Sequence, residues 1–116
     1  MTDSELRHII LDLVTEDSYA LSEIVAKIRD AHPGHTMAEA RSLARRGALS
    51  LIADGLVVAT WLETPSGPEK VLDPSATEVA MADDLAWLFH NSWRPHVRLV
   101  ATALGEAAYR RSAPEN

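Results

Sequence analysis

Residues 36–62 constrain the fold of this 116-residue chain more than any other stretch. Thr36 and Glu39 form an S/T-x-x-E capping box, in which a hydroxyl and a carboxylate satisfy backbone N–H groups that the first helical turn leaves open. Behind the cap, Ala40, Leu43, Ala44, Gly47, Ala48, Leu51 and Ile52 recur at helical period. The small residues on that face allow a second helix to approach closely. Gly55 can end the helix in a left-handed cap, and the following LVVATWL is rich in the β-branched and aromatic residues of a strand. A long capped helix, a tight turn and a strand are therefore expected in that order, and the remaining segments must pack on them.

The preceding residues supply two more helices. Thr2 and Glu5 form a capping box, and Leu6, Ile9, Ile10, Leu13 and Val14 make one apolar face at helical spacing. The cluster Glu16-Asp17-Ser18 ends that helix in a turn. Tyr19-Ala20-Leu21 is a short bridge able to extend and pair with a later strand. Leu21, Ile24, Val25 and Ile28 give the second helical stripe, which must stop before Pro33, because the residue before proline is biased away from the α region. The compact HPGH of residues 32–35 then leads into the long helix.

After residue 62 the pattern is less regular. Residues 64–68 form a turn, and Lys70-Val71-Leu72 can return as a short strand. Ser75 and Glu78 after Pro74 make a third capping box, which predicts a fourth helix through Val79, Ala82, Leu85, Ala86, Leu88 and Phe89 to about His90. That helix would be apolar around much of its circumference, so the domain or a second subunit should cover it on more than one side. Trp93-Arg94-Pro95 breaks it, residues 96–102 (HVRLVAT) are strand-like, and residues 105–111 (GEAAYRR) open a last helix. Residues 112–116 should be a disordered tail.

Two segments resemble winged helix-turn-helix regulators of the PadR and MarR type. Residues 51–57 (LIADGLV) are similar to the L-x-x-x-G-L-[VI] junction where the third helix turns into the wing. Residues 98–107 (RLVATALGEA) are similar to the L-T-x-x-G segment where the returning wing strand enters a final helix, and the PSGP of residues 65–68 is similar to a wing tip. The resemblance implies an α+β fold, mainly helical with a small antiparallel sheet, as one winged-helix domain over residues 1–111. It also implies sequence-specific binding to double-stranded DNA and a homodimer. The chain departs from the pattern at residues 73–95, which lie between wing tip and returning strand as an inserted helix, so that the wing has an extra element or the sheet an extra strand.

On that reading the helix after Thr36 is the recognition helix, over about residues 36–54. Its outer face carries Ala38, Ser42, Arg45, Arg46 and Leu49, with Arg41 on the flank. Arg41, Ser42, Arg45 and Arg46 are the candidates for base or phosphate contacts in the major groove, because the guanidinium fork bonds guanine edges and phosphate oxygens bidentately. Lys27 and Arg29 could add phosphate contacts from the second helix, and Arg94 and Arg98 from the wing. The same face also fits a solvated helix surface, since Glu39 and Leu49 lie on it.

Charge sets the alternative. The formal net charge is −6, too negative for a protein that coats nucleic acid, but it is unevenly placed. Residues 26–48 carry five Lys and Arg against two acids, whereas residues 49–93 carry seven acids against Lys70. The second expectation is therefore an acidic winged-helix protein-interaction module, a neutralising or accessory subunit for a basic partner protein, that does not bind DNA. A continuous positive band across Lys27, Arg41, Arg45 and Arg98 favours DNA. A band interrupted by Glu39, Asp30 and the acidic insert favours a protein partner.

Catalysis is not expected. The adjacent Asp83 and Asp84 diverge by about 100° on a helix, Ser66 has no nucleophile-elbow context, and no glycine-rich phosphate loop occurs. There is no cysteine, and His32 and His35 lack a third ligand, so neither metal nor cofactor is expected. His90 and His96 bracket Trp93 and could flank a ligand pocket, but histidines at helix ends also interact with open carbonyls. No apolar run approaches membrane-spanning length and the opening MTDSELRH is acidic, which points to a cytoplasmic location without a membrane partner.

Overall fold

The computed structural model describes residues 1–112. Those residues form an α+β fold with five α-helices and one four-stranded antiparallel sheet. The elements run α1 (Asp3–Val14), β1 (Tyr19–Ala20), α2 (Leu21–Ala31), α3 (Met37–Ala53), β2 (Val57–Leu62), β3 (Glu69–Val71), α4 (Pro74–Ala82), a 3-10 turn (Asp84–Trp87), β4 (His96–Ala101) and α5 (Ala103–Ser112).

The organising segment folds as its residues dictate. Thr36 Oγ1 accepts the Glu39 N–H at 3.1 Å and the Glu39 carboxylate accepts the Thr36 N–H at 2.9 Å, closing the capping box. Ala40, Ala44, Gly47, Ala48 and Leu51 of α3 are buried. A methyl group at Gly47 would lie 2.7 Å from Ile10 Cδ1 and 2.8 Å from Leu6 Cγ, so α1 crosses α3 where the side chain is missing. Gly55 takes φ +74°, and the bonds Leu56 N–H to Leu51 C=O and Gly55 N–H to Ile52 C=O close the helix end as a Schellman motif.

The sheet order is β1-β4-β2-β3. β4 lies between β1 and β2, pairing Tyr19 with Leu99 and running beside β2 from Val57↔Ala101 to Leu62↔His96. Val57, Ala59, Val97 and Leu99 face the core with Leu6, Ile10, Leu21, Ile24, Ile28 and Leu51. The bridge at Tyr19-Ala20 thus pairs with the strand-like segment at 96–102, as anticipated. β3, near the short return strand expected at Lys70-Val71-Leu72, pairs with the far edge of β2 after the turn at residues 63–68.

α5 is set by Thr102. Its hydroxyl donates to Gly55 C=O at 2.7 Å and accepts the Gly105 N–H at 3.1 Å, while its N–H donates to Leu56 C=O at 3.0 Å. A Cβ at Gly105 would fall 1.9 Å from the Leu56 carbonyl oxygen, so only glycine allows this approach. Further along α5, the Tyr109 hydroxyl donates to the Asp12 carboxylate on α1 and its ring stacks on His8 with centroids 5.5 Å apart.

The expected helix to His90 needs correction. Asp73, not Ser75, caps α4: its carboxylate accepts the Ala76 N–H at 2.7 Å, and Pro74 occupies the first helical position, where no N–H is required. α4 stops at Ala82 because Asp83 is extended and its carboxylate takes the Leu85 N–H at 3.0 Å, starting the 3-10 turn in a new direction. Trp87 Nε1 donates to the Met81 carbonyl at 3.0 Å and locks the corner, with both side chains buried. At the other end, Ser112 closes α5 rather than beginning a tail. Residues 113–116 lie outside the described residues.

Candidate functional site

The predicted cations do not share one free face. Arg41 is half-buried on the flank of α3, and Ser42 is exposed. Arg45 points into the insert, where Nη2 donates to Asp84 Oδ1 at 2.7 Å, the guanidinium sits 5.7 Å from the Trp87 ring centroid, and the buried Nε–H has no acceptor. Arg46 pairs with Asp3 at 3.2 Å across the start of α1. Lys27 and Arg29 are exposed on α2, and Arg94 is exposed at the end of the insert. None of these three has a carboxylate within ion-pair distance among the described residues.

Arg98 has a different role from the phosphate contact expected of it. Its side chain is 19% exposed and lies between Glu23 and Glu69, each 3.8 Å away. Nε donates to Ser18 Oγ at 3.0 Å and Nη2 to Ser18 C=O at 2.7 Å. The Glu69 carboxylate also accepts Ser18 Oγ–H at 2.8 Å and Thr60 Oγ1–H at 2.7 Å, so one network ties β4, β2, β3 and the turn before β1 together. Nη1 meets His96 Nε2 at 2.9 Å. A guanidinium can only donate, so Nε2 accepts and His96 carries its proton on Nδ1, which donates to the Arg94 carbonyl at 2.8 Å.

Of the four cations of the expected band, Lys27, Arg41, Arg45 and Arg98, the last two have carboxylate partners within the chain. Arg45 is held by the insert, Arg98 by two glutamates, and Glu39 is exposed beside Ser42. Glu39 is well suited to staying ionised: the Thr36 N–H and then the Thr36 hydroxyl hold its carboxyl below the usual glutamate range, with His35 nearby adding to the effect.

The insert builds a groove whose lining takes in His90, Trp93 and His96, the three residues read from the sequence as possible flanks of a pocket, but whose other walls the sequence did not reveal. It lies between residues 72–95, the β1–α2 corner and the ends of β2 and β4, with a volume of about 1130 Å³. Trp61 and Leu72 line it from the sheet side. Val79, Leu85, Phe89 and Trp93 line it from the insert and are 71%, 65%, 74% and 47% exposed. Splitting the helix at Asp83 turns these four side chains toward one hollow. On a continuous helix the same four positions would share one face, within an arc of about 120°, so the break at Asp83 changes what they border and not their being neighbours. Glu23, Asp73 and Asp83 are the acids of the lining and Arg94 and Arg98 its cations.

His32 and His35 sit with ring centroids 5.9 Å apart, and His35 Nδ1 is 3.9 Å from Glu39. Among the described residues no group of three His, Cys, Asp or Glu side chains is placed to hold a metal ion. No described helix is long and apolar enough to cross a membrane. No protein family, curated protein or solved structure matches this chain.

Proposed function

We propose that this chain is a winged-helix protein-interaction module, an accessory or neutralising subunit that holds a partner protein in the groove of its insert. The fold part of the reading rests on element order and on one junction. The order α1-β1-α2-α3-β2, closed by a strand between β1 and β2 and a final helix, is that of a winged helix. The two segments that carry the resemblance meet in space, Thr102 and Gly105 on Gly55 and Leu56. β3, α4 and the 3-10 turn are then additions within the wing.

The observation that carries the function is the exposure of Val79, Leu85, Phe89 and Trp93 around one groove. With aromatic side chains of roughly 200 Å², Phe89 and Trp93 alone leave on the order of 250 Å² in water. The two aliphatic residues bring the patch into the range of about 300–600 Å² at which the largest patch of a monomer is often functional. A second reading, DNA binding through α3, is favoured by Ser42, exposed in the first half of that helix, and by Lys27 and Arg29, which no carboxylate engages among the described residues.

One experiment separates the two. Wild type, Phe89→Ser/Trp93→Ser and Arg41→Ala/Arg45→Ala/Arg46→Ala are purified from the native host and assayed against duplex DNA at low salt. The module reading expects one protein retained by wild type and by the arginine variant but lost from the groove variant, with negligible DNA affinity throughout. Measurable DNA binding that the arginine substitutions abolish, with no protein lost from the groove variant, sinks it.

A further inference from the structure

We propose that the occupant of the groove is a basic amphipathic helix of a partner protein. Its apolar stripe would seat against Leu85, Phe89 and Trp93 and its lysines or arginines would face Asp73 and Asp83. This rests on the module reading above and adds the chemistry of the partner.

Exposure argues for a peptide segment over a small molecule. Small-ligand sites enclose most of their ligand, whereas the aromatic residues here stand largely in water. Shape argues for a helix over a strand. β1 has two residues and β3 three, edges too short for strand addition, while the groove walls are α4, the 3-10 turn and the start of α2, a setting for helix-in-groove recognition.

Charge sets the sign. The insert at residues 73–95 carries Asp73, Glu78, Asp83 and Asp84 against Arg94, and all four acids are exposed. Asp73 and Asp83 each accept a backbone N–H through Oδ1, which leaves the second carboxylate oxygen for a donor from outside. The lining cation Arg98 is already surrounded by Glu23, Glu69 and Ser18. A helix with an apolar stripe and flanking cations complements both the floor and the rim. An acidic helix would meet like charge, and duplex DNA would meet both like charge and exposed apolar surface.

The test uses two fluorescein-labelled helical peptides with leucine at i, i+3, i+4 and i+7, one with lysine and one with glutamate at the remaining positions, titrated with the full chain by anisotropy. The lysine peptide is expected to bind at least about tenfold more tightly at low salt, with the preference narrowing as salt rises. Asp73→Asn/Asp83→Asn should reduce the preference to within about threefold without unfolding the insert, because asparagine caps helices as well as aspartate does. Phe89→Ser/Trp93→Ser should weaken lysine-peptide binding at least about tenfold with unchanged circular dichroism, these side chains being exposed.

Equal affinity for the two peptides, with both lost in Phe89→Ser/Trp93→Ser, overturns the basic partner and leaves the groove as an interaction site. Lysine-peptide binding that survives the groove substitutions places it elsewhere and also overturns the proposal. A dimer in sedimentation that dissociates in Phe89→Ser/Trp93→Ser assigns the face to a second copy of this chain. Failure of both peptides to bind a monomeric chain removes the module reading along with the basic partner.

Discussion

Arg98 illustrates how one residue can change roles once its neighbours are known. On β4 it resembles a wing cation available to phosphate, but its guanidinium donates to Ser18 and His96 and lies 3.8 Å from each of two glutamates. Truncating it leaves Glu69 and Glu23 facing each other without the intervening charge. Arg98→Ala should therefore cost about 2–4 kcal/mol, between the loss of hydrogen bonds to a charged group and the breaking of a buried pair. Urea unfolding of the variant checks this. The Arg45–Asp84 pair is more exposed, so Asp84→Asn should cost no more than about 1 kcal/mol while freeing Arg45 from the insert. A second residue-scale prediction concerns Glu39. Its folded pKa is lowered by the Thr36 bonds, so its stabilisation is present above the ordinary glutamate range and is lost as pH falls through the folded value. Glu39→Gln should show a flatter fall in stability between neutral and acidic pH than wild type. Parallel curves for the two proteins would contradict the assignment.

At the scale of elements, legibility depended on how local the determining contacts are. α3 was readable because everything that defines it lies within its own residues: the Thr36–Glu39 box, the small-residue stripe and the Gly55 terminus. α1 and α2 followed from short periodic segments in the same way. The insert was not readable, because a helical apolar pattern does continue through Leu85, Leu88 and Phe89. What breaks it is Asp83, whose backbone is extended and whose carboxylate accepts the Leu85 N–H in place of a helical carbonyl. Asp73 likewise outcompeted Ser75 as the cap because Pro74 fits the first helical position. The junction of α5 with the end of α3 yields a test of packing. Gly105→Ala places a methyl group against the Leu56 carbonyl and should destabilise the chain by about 2–3 kcal/mol. Gly47→Ala, which meets the movable side chains of Leu6 and Ile10, should cost less. Thermal unfolding of the two variants ranks them.

For the molecule as a whole, the network around Arg98 and the Arg45–Asp84 pair share one reason for escaping sequence reasoning. Ser18 and Arg98 are separated by 80 positions and Arg45 and Asp84 by 39, so no local pattern announces either contact. Charge distribution was legible and proved informative: the acidic stretch at 49–93 is the one that supplies Asp84 to Arg45 and Glu69 to Arg98. The same contacts that stabilise the sheet and fasten the insert withdraw arginines from a DNA face. They leave an apolar groove, bordered by Asp73 and Asp83, open to solvent. The most direct measurement of this account is an amide chemical-shift map of the full chain titrated separately with the lysine-flanked helix and with duplex DNA at low salt. The account predicts that the peptide shifts resonances in residues 72–97 and that DNA leaves residues 37–46 unmoved. Shifts confined to Arg41, Ser42 and Arg46 on adding DNA, with the insert silent toward the peptide, would contradict it.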